Sequence, residues 1–186
     1  MTAVMPERRW AVHKFGGSSL ADADCLRRFA AIVEALPESR VALVLSACRG
    51  VTDELIELVG VAERADEAGC EAVFSRLHQR HAAIATELLD PPAREAFERQ
   101  LLADIADLRR ITHTVALVRS AGCDLHDLAA GFGELWSSRL FAAFLENRAW
   151  IDHTRRNAGP VECDAEEGRR IPLARREQLG ERAGFG

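Results

Sequence analysis

Lys14 is the only lysine among the 24 basic residues of this chain, and it stands directly before Phe15-Gly16-Gly17-Ser18-Ser19. An apolar run, Trp10 to His13, precedes it. A helical pattern with Leu26, Phe29, Ile32 and Val33 on one face follows. The order is strand, glycine turn, helix. Adjacent glycines let a backbone approach a ligand closely and aim several N–H groups at it. The helix behind adds unpaired N-terminal donors and the positive end of its dipole, which favour an anion. A compact ammonium in a chain that otherwise uses arginine suits a phosphate oxygen. The chemistry implied is a phosphate cradle. The competing reading is an ordinary strand-to-helix turn beside a chance lysine. Neither the G-x-x-x-x-G-K-[ST] loop nor the G-x-G-x-x-G fingerprint is present.

Two further places carry candidate chemistry. Ser46-Ala47-Cys48-Arg49-Gly50-Val51-Thr52 is a stretch of mostly small residues with hydroxyls at both ends, and it follows an apolar run. Glu134 lies in Gly133-Glu134-Leu135-Trp136-Ser137, with no basic residue closer than Arg139. Such a carboxylate either waits for a cationic partner or faces water on the first turn of a helix, where it complements the dipole. His78 and His81 are three apart, but no third ligand has suitable spacing, so they read as surface or half-buried histidines and no metal site is expected.

The elements that must position these residues follow from periodicity. The first helix is expected from about Ala21 to Leu36, where Pro37 ends it. Arg40 to Ser46 is nearly all apolar, as in a parallel strand buried on both faces. Strand, helix and strand make a βαβ unit, and open α/β sheets place ligands beyond the strands' carboxyl ends. Asp53 to Ala65 is helical again. Glu67–Leu89 and Pro92–Ser120 read as an antiparallel helical hairpin broken at Asp90-Pro91-Pro92. Helical spacing resumes after Gly122, Trp150-Ile151-Asp152 suggests a third short strand, and residues 153–186 read as a polar tail or a truncated continuation.

Composition narrows the classes. At 186 residues the chain can bury a core and form one domain, and its net charge of -5 argues against a general nucleic-acid binder. No stretch approaches a membrane span and no apolar leader opens the chain, so the expected compartment is the cytoplasm. Five cysteines, odd in number and without a C-x-x-C pair, read as reduced thiols.

Taken together, Lys14–Asp22, then Val44-Leu45-Ser46-Ala47-x-x-Gly50-Val51-Thr52, then Gly133–Ser137 resemble aspartokinase, most of all the kinase half of bifunctional aspartokinase–homoserine dehydrogenases. The resemblance runs from about Trp10 to Asp152. It implies an α/β amino acid kinase fold, a mainly parallel sheet between helical layers. Residues 1–152 would be the N-terminal part of the catalytic domain, with the hairpin at about 67–120 inserted. It implies transfer of the γ-phosphoryl of ATP, carried with Mg2+ as co-substrate, to the side-chain carboxylate of L-aspartate. That step feeds lysine, threonine and methionine synthesis, with no tightly bound cofactor. Lys14, Phe15, Gly16, Gly17 and Ser18 would hold the phosphates. Ser46, Thr52 and Glu134 would hold aspartate, the glutamate pairing with its ammonium. A homo-oligomer is implied for the full-length enzyme, with no nucleic acid and no membrane as partner.

Departures follow. The family's Asp-x-Arg or Asp-Thr-Arg element reads as displaced by a residue at Asp152–Asn157, and its later glycine- and serine-rich loop, adenosine segment and regulatory domains have no expected counterpart. The expectation is the first half of an active site, with activity of the chain alone in doubt. The alternatives are another amino acid kinase family member, or a truncated, non-catalytic product that binds a partner.

Overall fold

A computed structural model of the chain describes residues 10–37 and 40–148. The expected strand at Trp150–Asp152, the polar tail and Cys163 lie outside the described residues. Strand β1 (Ala11–Phe15) leads through a 3₁₀ turn (Gly17–Leu20) into helix α1 (Ala23–Glu34), then strand β2 (Val41–Leu45) and helix α2 (Val51–Glu63). Helices α3 (Glu67–Leu88), α4 (Pro91–Val118) and α5 (Cys123–Asn147) complete the described part.

The expected βαβ unit is present. The two strands are parallel and in register from Ala11 opposite Val41 to Phe15 opposite Leu45. Helix α1 starts later than its apolar spacing suggests. Asp22 accepts from the Cys25 backbone N–H at 2.7 Å and caps the helix there, leaving the four residues before it to wind more tightly. Asp66 and Asp90 cap α3 and α4 in the same way. Pro91 and Pro92 therefore open α4, where their missing N–H groups cost no intrahelical bond, and only Leu89 and Asp90 separate the hairpin's helices.

Three expectations change. The β2 strand is not buried on both faces. Phe15, Leu43 and Leu45 pack on the core, while Val12 and Val44 are 66% and 47% exposed on the opposite face, which also carries Lys14. Alternation decides this: residues two apart share a face, and the described apolar helices cover only one of the two. Helix α2 begins at Val51, two residues ahead of the expected Asp53, so Thr52 belongs to its first turn and not to a loop. Segment 123–147 is one continuous helix despite Gly131 and Gly133, so Glu134 sits in its middle, where the helix-terminal dipole does not reach.

The core joins the sheet to the helices through aromatic rings. Phe15 meets Phe29 of α1 at 3.7 Å between centroids, and Phe29 stacks on Phe141 of α5 at 3.9 Å. Buried Leu55, Leu58, Phe74, Leu77, Leu101 and Leu108 seal the hairpin against α2 and α5. Burying each such leucine stabilises the fold by roughly 1.5–3 kcal/mol.

Candidate functional site

Three segments named from the sequence converge on Ala47. Its carbonyl oxygen lies 2.8 Å from where a Cβ on Gly17 would stand, and its own Cβ lies 2.8 Å from where one on Gly133 would stand. A side chain at either glycine would drive the segments apart. The loop after β1, the loop after β2 and the middle of α5 therefore meet at van der Waals contact because two of them present glycine. Gly133 is also packed against Val51 and Leu55 of α2, which sets Glu134, its neighbour, beside the start of that helix.

Hydrogen bonds hold the convergence. The Ser46 N–H donates to the Phe15 carbonyl at 3.0 Å, extending the parallel ladder past the strand end. The Ser46 carbonyl accepts from the hydroxyl of Ser137 on α5 at 2.7 Å. That hydroxyl also stands 3.0 Å from the Glu134 carbonyl, so its single proton is shared between two acceptors that flank the site. Gly50 takes the left-handed conformation (φ 81°), which only glycine adopts without strain, and turns the chain directly into α2. Arg80 of α3 reaches over this turn. It pairs with Glu54 of α2 and donates to the Arg49 carbonyl at 3.4 Å.

The expected site residues fall into two groups. Lys14, Gly16, Ser18 and Glu134 are exposed, and Ser46, Thr52 and Gly17 are half-buried around the meeting point. Phe15 belongs elsewhere: its ring packs on Phe29 and its carbonyl is taken by Ser46, so it builds the core behind the loop. Ser18 lines, with Ser19, Cys25, Arg28 and Ile32, a cavity of about 290 Å³ behind the 3₁₀ turn. The α2 N-terminus has no side-chain cap, unlike α1, α3 and α4, and so keeps N–H donors beside Thr52. Cys48, next to Ala47, is buried, and burial pushes its thiol up to about 11; it offers no thiolate near neutral pH.

Sequence reading missed the polar cluster beneath the site. Asp104 of α4, a buried carboxylate, accepts from the indole N–H of Trp136 at 3.0 Å, from Gln100 at 3.2 Å and from the guanidinium of Arg139. His81 of α3 is fully buried, not the surface or half-buried residue expected. It lies edge-on to Trp136, with centroids 5.1 Å apart, and its Nδ1 bonds the Leu77 carbonyl at 2.7 Å. His78 remains half-buried, and among the described residues no group of three or more His, Cys, Asp or Glu is placed to hold a metal. The one signal for the cluster in the sequence was Trp136 itself: a buried indole needs an acceptor.

The arrangement is chemically asymmetric. A cation and a glycine backbone on one wall, and hydroxyls with a carboxylate on the other two, can position an anion beside a polar substrate carrying an ammonium group.

Comparison with known proteins bears on the fold and the family. The family model described as the amino acid kinase family matches residues 9–168. The chain is 32% identical over 147 residues to a chloroplastic bifunctional aspartokinase/homoserine dehydrogenase 1 of Arabidopsis thaliana, covering 77% of this chain and 16% of that protein. It is 32% identical over 169 residues to bifunctional aspartokinase/homoserine dehydrogenase 2 of Escherichia coli, covering 87% of this chain and 20% of that protein. E. coli aspartokinase III, solved with aspartate and ADP, superposes with a TM-score of 0.60 at 33% identity, over 74% of this chain and 29% of the other. The chain thus spans about a sixth to a fifth of the bifunctional relatives and under a third of the solved enzyme. On the family match, the concordant relatives and the shared fold, this chain belongs to the amino acid kinase family, and the proteins it resembles there are aspartokinases.

Proposed function

We propose that residues 10–148 form the phosphate-facing and aspartate-facing walls of an aspartate kinase. The reaction is transfer of the γ-phosphoryl of ATP to the side-chain carboxylate of L-aspartate. The observation that carries the reading is the convergence of the Lys14–Ser18, Ser46–Thr52 and Gly133–Ser137 segments on Ala47. Phosphoryl transfer asks little covalent chemistry of a protein and much positioning and charge neutralisation. Lys14 is the group suited to neutralise the transferring phosphoryl, with the N–H groups of Gly16 and Gly17 as further donors. Ser46 and Thr52 suit the substrate's carboxylates, and Glu134, exposed and without a basic partner among the described residues, suits its ammonium. Magnesium enters on this reading with the nucleotide, since its preferred ligands include substrate phosphate oxygens. The domain is read as the N-terminal part of a larger catalytic unit that works in the cytoplasm as a homo-oligomer, in the synthesis of lysine, threonine and methionine.

The test uses a graft. Residues 10–148 replace the matching segment of E. coli aspartokinase III, and aspartyl hydroxamate formation is followed with each substrate varied separately. Glu134→Gln is expected to raise the KM for aspartate by about 30-fold or more and leave that for ATP nearly unchanged, because losing one member of a desolvated charge pair costs about 2–5 kcal/mol. Unchanged aspartate kinetics in a folded graft would remove Glu134 from the substrate site. A folded graft that turns over no aspartate would overturn the reading as a whole.

A further inference from the structure

The wall opposite the glycine loop carries a cation that neither the sequence motifs nor the family match assigns. We propose that Arg49 is a second phosphate-binding residue, which grips the polyphosphate of a nucleoside triphosphate from the β2–α2 loop while Lys14 acts from β1. The inference rests on the phosphoryl-transfer reading above.

Placement is the first argument. The backbone N and Cα of Arg49 lie 3.6 Å from where a Cβ on Gly17 would stand. Arg49 is thus in contact range of the loop read as the cradle, and a long side chain rooted there reaches whatever Gly16 and Gly17 bind. The Arg49 backbone is held on both sides, by Arg80 at its carbonyl and by left-handed Gly50 after it. A fixed root lowers the entropy lost when the side chain engages a ligand.

Availability is the second argument. Arg49 is exposed and makes no ion pair among the described residues. The neighbouring cations are committed, Arg80 to Glu54 and Arg76 to Glu57. The acids on adjoining elements are Asp53 and Glu54 in the first turn of α2 and Glu134 on α5; Glu54 is occupied by Arg80. Chemistry is the third. A guanidinium offers a planar fork that two oxygens of a polyphosphate match bidentately, whereas a lone carboxylate group of aspartate already has the hydroxyls of Ser46 and Thr52 and the uncapped N–H groups of the first turn of α2.

The experiment titrates ATP into the 186-residue chain by calorimetry at low and moderate salt, with far-UV circular dichroism to verify folding. Arg49→Ala is expected to weaken ATP binding about tenfold, the scale of one charge-assisted hydrogen-bonded contact, with a shallower salt dependence. Arg49→Lys should recover part of the loss, since it keeps the charge and forfeits the fork. Arg99→Ala, an exposed arginine on α4, is the control for general charge. If Lys14→Ala weakens binding and Arg49→Ala does not, the Arg49 assignment falls and the wider reading stands. Equal weakening by Arg99→Ala overturns the assignment as non-specific attraction. Absence of ATP binding in the unaltered chain, or binding insensitive to both Lys14→Ala and Arg49→Ala, overturns the assignment and the phosphate cradle together.

Discussion

The glycine loop at Lys14 and the Gly-Glu-Leu-Trp-Ser segment of α5 are both short motifs, yet they are built in opposite ways. The loop keeps its backbone packed and its polar groups outside: Gly17 abuts Ala47, Phe15 faces the core, and Lys14, Gly16 and Ser18 are exposed. The helical segment buries most of what it has. Gly133 is pressed on Ala47 and Val51, Trp136 and Ser137 are almost wholly buried, and only Glu134 and Leu135 are exposed. One motif displays its chemistry, and the other is mostly scaffold around a single displayed carboxylate. A residue's membership in a motif therefore does not say whether it meets substrate. Its face does.

That contrast predicts opposite responses to substitution, and the largest belongs to the buried side. Asp104→Ala would leave the buried Trp136 N–H and the half-buried Arg139 guanidinium without their acceptor. Breaking such a pair by removing one member costs about 3–5 kcal/mol, which is a large part of the stability of a domain this size. Urea unfolding at neutral pH is the measurement. Asp104→Asn, which keeps an oxygen for the indole, should cost less. An alanine variant as stable as the parent would show that the cluster is not what holds α5 to the hairpin.

The displayed side predicts the reverse pattern. In the grafted enzyme, Lys14→Ala should lower turnover by about 10²–10³-fold, the usual scale for losing one electrostatic stabiliser of a transition state. Its stability should change by about 0.5 kcal/mol or less, because Lys14 is exposed on an open face of the sheet. Hydroxamate kinetics and urea unfolding on one variant set these side by side. A Lys14→Ala protein that loses stability and retains turnover would reverse the assignment of the two regions.

How much of this was legible follows the same division. Apolar runs located both strands of the described part, and period-3.6 patterning its five helices, because burial of apolar faces is a local signal. The glycine loop was legible because its chemistry is written in consecutive residues. Boundaries shifted at Asp22, where a side-chain cap outweighed periodicity, and at Gly50, whose left-handed turn lets α2 begin at Val51. The first-turn alternative for Glu134 fails because α5 runs unbroken through Gly131 and Gly133. Tertiary packing explains Gly133, and nothing lies within 4 Å of a Cβ on Gly131. Asp104 was invisible for a different reason: its partner Trp136 is 32 residues away on another helix, and no local pattern reports such a pair. The exposure of Val12 and Val44 was hidden too, since an apolar run does not say how many of its faces are covered.

The smallest predicted effect sharpens the buried side of the comparison. His81 has no exposed surface, and its Nε2 has no hydrogen-bond partner among the described residues. Burial lowers its pKa from 6.5 to about 4, the loss of hydration outweighing the bond to Leu77, with Arg80 and His78 adding repulsion. The sign follows from proton counting. Between about pH 4 and 6.5 the unfolded chain binds a proton at His81 and the folded chain does not, so stability rises with pH there and is lost on acidification through that window. Between pH 7 and pH 5 the loss should be about 2 kcal/mol from this residue alone. The carboxylates of Asp22 and Glu34, held below their ordinary values by the Cys25 N–H and by Arg148, lose their contribution only at lower pH. Urea unfolding at the two pH values, in the parent and in His81→Gln, separates the terms, because the variant cannot titrate at that position. The parent should lose more stability than the variant by that amount. Equal losses would mean that His81 is protonated in place and that its contact with Trp136 is looser than the 5.1 Å between the ring centroids implies.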